Sequence, residues 1–212
     1  MIRIRKSSVV PAELAQKGYG ANSVQSAILV DQDDKCYLCE RKRTTDFQVE
    51  HLQSRDNCPE KENCWDNLFI ACGYCNQKKS NNFDDICNPS KTDIECEITQ
   101  KIDFSTNRVL FKAQTPNMSL ERTATLLSRL YNGTRPGLRT TREERFYNEF
   151  IQQMNVFQQA VLRYMEQGDN ETEIKQMLDI KAENLGFKYS ILAETPALMA
   201  KFKDSVKWNR AQ

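Results

Sequence analysis

The chain has 212 residues, with 30 Lys+Arg against 29 Asp+Glu, one His and eight Cys. That length fits one large domain or two small ones, and 39% hydrophobic with 28% charged residues excludes a disordered, collagen-like or membrane-spanning chain. A formal charge of +1 excludes a protein that finds nucleic acid through its global field, so any such attraction is local or comes from a partner.

In chain order, the basic start MIRIRKSSVVPAEL lacks the apolar run of a secretory signal, and Ala27–Val30 is too short to cross a bilayer. A cytoplasmic location without membrane contact is expected, with thiols kept reduced. Pro11 opens a short helix, and a polar turn at 31–35 follows Val30. The cysteine-rich stretch runs from Cys36 to Cys75, and two short strands are expected within 98–112. Beyond Pro116 the period becomes that of a helix: Leu120, Ala124, Leu127 and Tyr131 share a face that Asn132-Gly133 ends. A second helix starts at Thr141, with Glu144 completing a capping box. It carries the stripe Phe146, Phe150, Met154, Phe157, Val161 and Tyr164 and stops at Gly168. A third is expected from Glu171 to Leu185, closed by Gly186. The fold class is α+β: an N-terminal segment (1–30), a zinc-clamped module (31–115) and a mainly α-helical C-terminal region (116–212).

Cys36-x-x-Cys39 and Cys72-x-x-Cys75 are two knuckles able to offer four thiolates to one tetrahedral zinc ion; a redox pair or coincidence is the competing reading. They stand further apart than in an ordinary zinc ribbon, so about 30 residues are inserted between them. In the insert, Phe47-Gln48-Val49 reads as a strand leading into Glu50-His51. A polar loop runs from Gln53 to Cys64, and a second strand, Trp65 to Ala71, contains Asn67. Asn76 to Asn82 can begin a helix. His51 is the lone histidine, follows a carboxylate, and is not needed by a site that four cysteines complete. It is a candidate general base, against the plain reading of a histidine with no role. Cys58, Cys64, Cys87 and Cys96 read as incidental thiols, and Asp84 and Asp85 as solvated.

Glu50-His51, Asn67 and Cys72-Gly73-Tyr74-Cys75-Asn76-Gln77-Lys78-Lys79, bracketed by C-x-x-C pairs, resemble the HNH endonucleases of ββα-metal fold over about Cys36 to Asn82. The resemblance implies that Glu50 and Asn76 bind the catalytic metal, that His51 is the general base, and that Asn67 holds the loop between the strands. Glu stands where Asp is commoner and Asn76 where His is frequent. Both offer a hard oxygen suited to Mg²⁺ or Mn²⁺, which would bind a phosphate oxygen and the departing 3′ oxygen. Lys78 or Lys79 would contact a neighbouring phosphate or simply be solvated. The whole chain further resembles the PtuB-type HNH proteins of Septu and retron anti-phage systems, through Arg3-Ile4-Arg5-Lys6 with Pro11, the early HNH module, and a helical part containing Arg129-Leu130-Tyr131-Asn132 and Arg142. That resemblance implies a PtuA-like ABC-type ATPase as partner, together with a retron reverse transcriptase and its nucleic acid in the retron setting. Residues 101–145 hold nine basic against four acidic residues, which reads as a nucleic-acid or partner contact or as a solvated helical face; residues 51–90 hold four against six, so a partner is expected to supply binding or activation. The function implied is a metal-dependent endonuclease acting on nucleic acid, DNA ahead of RNA. The alternatives are a zinc-stabilised binding module with a vestigial site, and a nuclease of restriction or mobile-element cleavage.

Overall fold

The structure, a computed structural model, describes residues 1–42, 45–135 and 137–208. Helix α1 (Glu13–Lys17) follows Pro11, with an acid in its first turn and a base in its last, the order the helix dipole favours. Helix α2 (Asn22–Asp31) buries Val24 and Ile28. Strand β1 (Gln48–His51) pairs antiparallel with β2 (Leu68–Ala71), His51 opposite Leu68 and Gln48 opposite Ala71. The second strand is shorter than the sequence pattern implied. Trp65–Asn67 form a 3-10 turn ahead of it, because the Asn67 side chain bonds across the loop rather than along a ladder. Helix α3 (Gly73–Lys79) begins inside the second cysteine knuckle.

A single-turn helix α4 (Ile94–Glu97) leads into the expected hairpin of β3 (Ile98–Asp103) and β4 (Arg108–Ala113). Helix α5 (Met118–Asn132) is capped by the Asn117 side chain, which accepts from the Leu120 N–H. Helix α6 (Thr141–Gln167) has the expected capping box one residue earlier than the sequence suggested: Thr140 caps and Glu143 reciprocates. Gly168 ends α6 in the left-handed conformation, φ 73°.

The third helix departs from expectation. It ends at Met177 (α7, Glu171–Met177), and a new helix α8 (Leu185–Ala193) starts where the first was to close, followed by α9 (Pro196–Phe202). The reason is distant in sequence. The Glu40 carboxylate accepts from the N–H groups of Leu185 (2.7 Å) and Gly186 (3.0 Å), satisfying two donors that a helix N-terminus leaves open. Gly186 therefore opens a helix rather than closing one. Glu40 also receives the Met1 ammonium at 2.5 Å.

β2 is buried on both faces, and its period-two alternation serves two cores. Leu68 and Ile70 pack with Leu14, Val24, Ile28 and Trp65, while Phe69 and Ala71 join the main cluster. At the centre of the main cluster the Tyr131 ring meets Phe150 at 4.8 Å and Phe146 and Phe187 at 5.2 Å. The segment around Tyr131 also knits the helical region to the cysteine-rich part. The Tyr74 hydroxyl donates to the Leu130 carbonyl (2.6 Å), and the Asn132 amide pairs with Val109 N–H and C=O (2.8 and 2.7 Å). The basic N-terminal residues are likewise turned inward. Arg3 pairs with Asp93 at 3.0 Å, and the Lys6 ammonium donates to the Trp65 and Leu68 carbonyls beneath the Trp65 ring, burial lowering its pKa to about 8.

A Cβ at Gly186 would lie 2.3 Å from Gln100 Nε2 and 2.7 Å from the Met1 carbonyl oxygen. Gly186→Ala is expected to lower unfolding free energy by about 1–3 kcal/mol, the usual range for overpacking, as read by urea titration. A loss below roughly 0.5 kcal/mol would mean that the contact yields freely.

Candidate functional site

The first knuckle is a tight loop. Glu40 N–H closes it onto the Cys36 carbonyl at 2.8 Å, with Glu40 at φ 58°, and Tyr37 N–H ties it to the Ile70 carbonyl of β2 at 3.0 Å. The second knuckle is the end of β2 running into the first turn of α3. The Tyr37 bond onto β2 brings the two together. Cys36, Cys39, Cys72 and Cys75 are all buried, and their sulfurs lie within 4.8 Å of one another. Sulfurs about 2.3 Å from a tetrahedral ion stand about 3.8 Å apart, so this cluster needs only a small contraction to close on zinc. Burial pushes the Cys39 and Cys75 thiols up, and a bound divalent cation would remove the protons of all four. Cys58, Cys64, Cys87 and Cys96 take no part in this cluster.

β1 delivers Glu50 and His51 at its C-terminal end, opposite Phe69 and Leu68. Glu50 is buried and fully engaged: Tyr37 Oη donates to Oε2 at 2.6 Å and the Lys79 ammonium meets Oε1 at 2.7 Å. Burial raises the Glu50 pKa, and Lys79 and Tyr37 pull it back. Lys79 is 0% exposed and also donates to the His51 carbonyl at 3.0 Å, with Asp84 Oδ1 at 3.5 Å. The expectation that Lys79 reaches a phosphate therefore gives way to an internal role, while Lys78 is turned to Glu143 of α6 in a largely buried ion pair. Asp84 is not simply solvated either: its Oδ2 accepts from Ser54 (2.6 Å) and Asn57 (2.7 Å).

The His51 ring stands edge-on to Tyr19, centroids 4.7 Å apart, and its Nε2 lies 2.9 Å from the Glu62 carbonyl oxygen. A carbonyl only accepts, so Nε2 carries the proton in the neutral ring and Nδ1 keeps its lone pair. Burial lowers the His51 pKa below its usual value, favouring that neutral form. Asn67 pins the loop that supplies this carbonyl: Oδ1 accepts from Gln53 N–H (2.8 Å), and Nδ2 donates to the carbonyls of Gln53 (2.9 Å) and Lys61 (3.1 Å).

Asn76 sits on α3, half-buried, its Nδ2 donating to Gln48 Oε1 at 2.7 Å and leaving its carbonyl oxygen as the remaining polar atom. Glu50, His51 and Asn76 line one cavity of about 380 Å³, together with Ser54, Arg55 and Ser80. A carboxylate and an amide oxygen on one polar cavity suit a hard cation such as Mg²⁺ or Mn²⁺. Sequence reasoning missed Tyr37, Lys79 and Asp84 as supports of this constellation. The signal for Lys79 was its place four residues after Cys75, on the helix face that Cys75 turns inward.

Two outcomes follow. The wild-type chain is expected to hold one zinc per molecule by elemental analysis, and Cys36→Ser/Cys72→Ser to hold none and to melt lower; full zinc in the double variant would relocate the site. Lys79→Met, which strands a buried carboxylate, is expected to cost about 3–5 kcal/mol in urea unfolding. A cost no greater than that of Lys78→Met would show that Glu50 does not depend on it.

Among known proteins, residues 36–82 match the family described as HNH endonuclease. No curated protein and no solved structure matches the chain significantly. Among the described residues, no helix is long and apolar enough to cross a membrane. The matched stretch holds both cysteine knuckles, β1, β2 and α3, so the site just described lies in an HNH domain, built into a chain whose C-terminal region is helical.

Proposed function

We propose that the chain hydrolyses phosphodiester bonds of nucleic acid, DNA in preference to RNA, as a metal-dependent endonuclease. The observation that carries this reading is the convergence of Glu50, His51 and Asn76 on one polar cavity. Glu50 and Asn76 would hold Mg²⁺ or Mn²⁺, which when bound supplies charge stabilisation at the phosphate and at the departing 3′ oxygen. The remaining work belongs to side chains present. His51 takes the proton of the attacking water at Nδ1, since Nε2 is committed to the Glu62 carbonyl. Asn67 holds the loop that fixes the imidazole, and Lys79 balances the carboxylate without entering the cavity.

One observation favours a second reading, a non-catalytic zinc-stabilised binding module: both Glu50 oxygens already accept a hydrogen bond. A carboxylate has further lone pairs, so a metal ion is still accommodated, and the enzyme reading stands ahead. For the setting, the proposal extends to an anti-phage effector of PtuB type working with a PtuA-like ABC-type ATPase and, in a retron, its reverse transcriptase. This extension rests on the sequence resemblance and on the acid-rich 51–90 stretch, which is poorly equipped to hold DNA alone. Co-purification with a co-expressed PtuA-like ATPase tests the partner.

His51→Ala is expected to slow Mg²⁺-dependent plasmid nicking by about 100-fold or more, the usual worth of a general base, while its zinc content is retained. Because burial lowers the His51 pKa, the acid limb of the wild-type rate should fall below about pH 6.5, with activity lost as pH drops through it. Wild-type nicking by His51→Ala, or a flat profile with chemistry limiting, would remove His51 as the base.

A further inference from the structure

Beside the HNH domain lies a second recess that the proposed chemistry does not use. It is an open groove of about 1110 Å³ between β4 and α5, extending to the residues after α5. Arg108 and Lys112 enter it from β4, Arg129 from α5, and Arg135 from the segment that follows; Glu121 is its one carboxylate. Among the described residues none of these four cations is in an ion pair, whereas nearby Lys78, Lys79, Arg122 and Arg139 all have acidic partners. Arg129 adds a specific signal: its Nε is buried without a hydrogen-bond partner. An N–H so placed is costly to leave unmade, and a turn of the Arg129 side chain toward an anionic oxygen in the groove would satisfy it.

The groove also has a neighbour on the side of α3. Arg129 and Thr134 are shared with a neighbouring depression of about 480 Å³, which Gln77, Lys78 and Arg142 also line. Gln77 directly follows Asn76, which lines the cavity of Glu50 and His51. The groove thus adjoins a depression that reaches α3, the helix that also carries Asn76 of the candidate site.

We propose that the β4–α5 groove binds the phosphate backbone of the nucleic acid that the HNH domain cuts, through Arg108, Lys112, Arg129 and Arg135. The inference rests on the nuclease reading for the identity of the anion. Unpaired guanidinium and ammonium groups around a trough with Thr115 and Thr134 hydroxyls suit a string of phosphates, which needs repeated charge neutralisation rather than one tight pocket. They also place the phosphate contacts outside the acid-rich stretch.

The test measures binding of a labelled 20-nucleotide DNA, single-stranded and duplex, to the full chain by fluorescence anisotropy over a range of salt, in the His51→Ala background to prevent cleavage. Arg108→Gln/Lys112→Gln/Arg135→Gln is expected to weaken binding at least tenfold and to flatten the slope of log K against log salt by about 2–3, since each phosphate contact contributes roughly 0.7–0.9. Glu121→Gln, which removes the groove's carboxylate, is expected to tighten binding, and it tests the groove should the triple variant fail to fold. Unchanged affinity and slope in the triple variant, unchanged affinity in Glu121→Gln, or equal binding of a polyglutamate peptide of matched charge would each overturn the proposal, the last pointing to an acidic protein surface instead. The two readings fail separately. DNA binding that needs the groove in a chain that never cleaves sinks the nuclease and keeps the groove, whereas His51-dependent cleavage with binding indifferent to the groove does the reverse.

Discussion

A single buried ammonium organises the candidate site. Lys79 is wholly removed from water, and an isolated charge in that position would cost several kcal/mol in lost hydration. It is tolerated because α3 places it against the Glu50 carboxylate and the His51 carbonyl, with Asp84 at the edge. The contact is reciprocal. Glu50, buried at the end of β1, needs a counter-charge as much as Lys79 does, and Tyr37 completes its hydrogen bonding. One interaction therefore fixes the strand end, the helix and the loop after it, and holds the carboxylate beside the histidine.

That interaction depends in turn on the cysteine cluster. Lys79 and Asn76 share a short helix whose first turn carries Cys75, so the depth of α3 against β1 follows from where the four sulfurs meet. Tyr37 lies between Cys36 and Cys39, so the same loop that gathers two sulfurs also aims a hydroxyl at Glu50. The cysteine cluster and the candidate site are separate in chemistry, sulfur in one and oxygen with nitrogen in the other. They are joined mechanically through Tyr37 on one side and α3 on the other.

Features with local causes were legible in the sequence. Two C-x-x-C knuckles, Glu50 beside His51, the β3–β4 hairpin and the apolar stripe of α6 all depend on spacing within a few residues, and each stands where the pattern placed it. Features with distant causes were not. Gly186 reads as a helix end because glycine usually closes helices, yet Glu40, far back in the chain, caps a new helix there. Lys79 reads as surface because charge usually seeks water, and only the fold reveals the carboxylate waiting for it. Asn67 reads as part of a strand, but its amide finds the Gln53 and Lys61 backbone, and the strand begins one residue later. The N-terminal Arg3 and Lys6 show the same limit: nothing within the basic run reveals that it is spent on Asp93 and on two backbone carbonyls.

The distribution of charge sets the helical region apart from the HNH domain and, under the proposed reading, gives it a part in the chemistry. Within the HNH domain the two lysines nearest the site are already neutralised, Lys79 by Glu50 and Lys78 by Glu143. A polyanion approaching Glu50 would meet little there to offset its repulsion, apart from Arg55 in the cavity lining and any cation that Glu50 and Asn76 would hold. The unpaired basic groups lie instead on β4, on α5 and just beyond it, elements that the Asn132 and Tyr74 hydrogen bonds lock to one another and to the domain. Tyr74 sits inside the second cysteine knuckle, so the bond that seats α5 departs from the same loop that gathers the sulfurs. Any loosening of that knuckle would therefore shift the cationic groove relative to the cavity of His51, coupling the proposed grip on a strand to the geometry proposed to cut it.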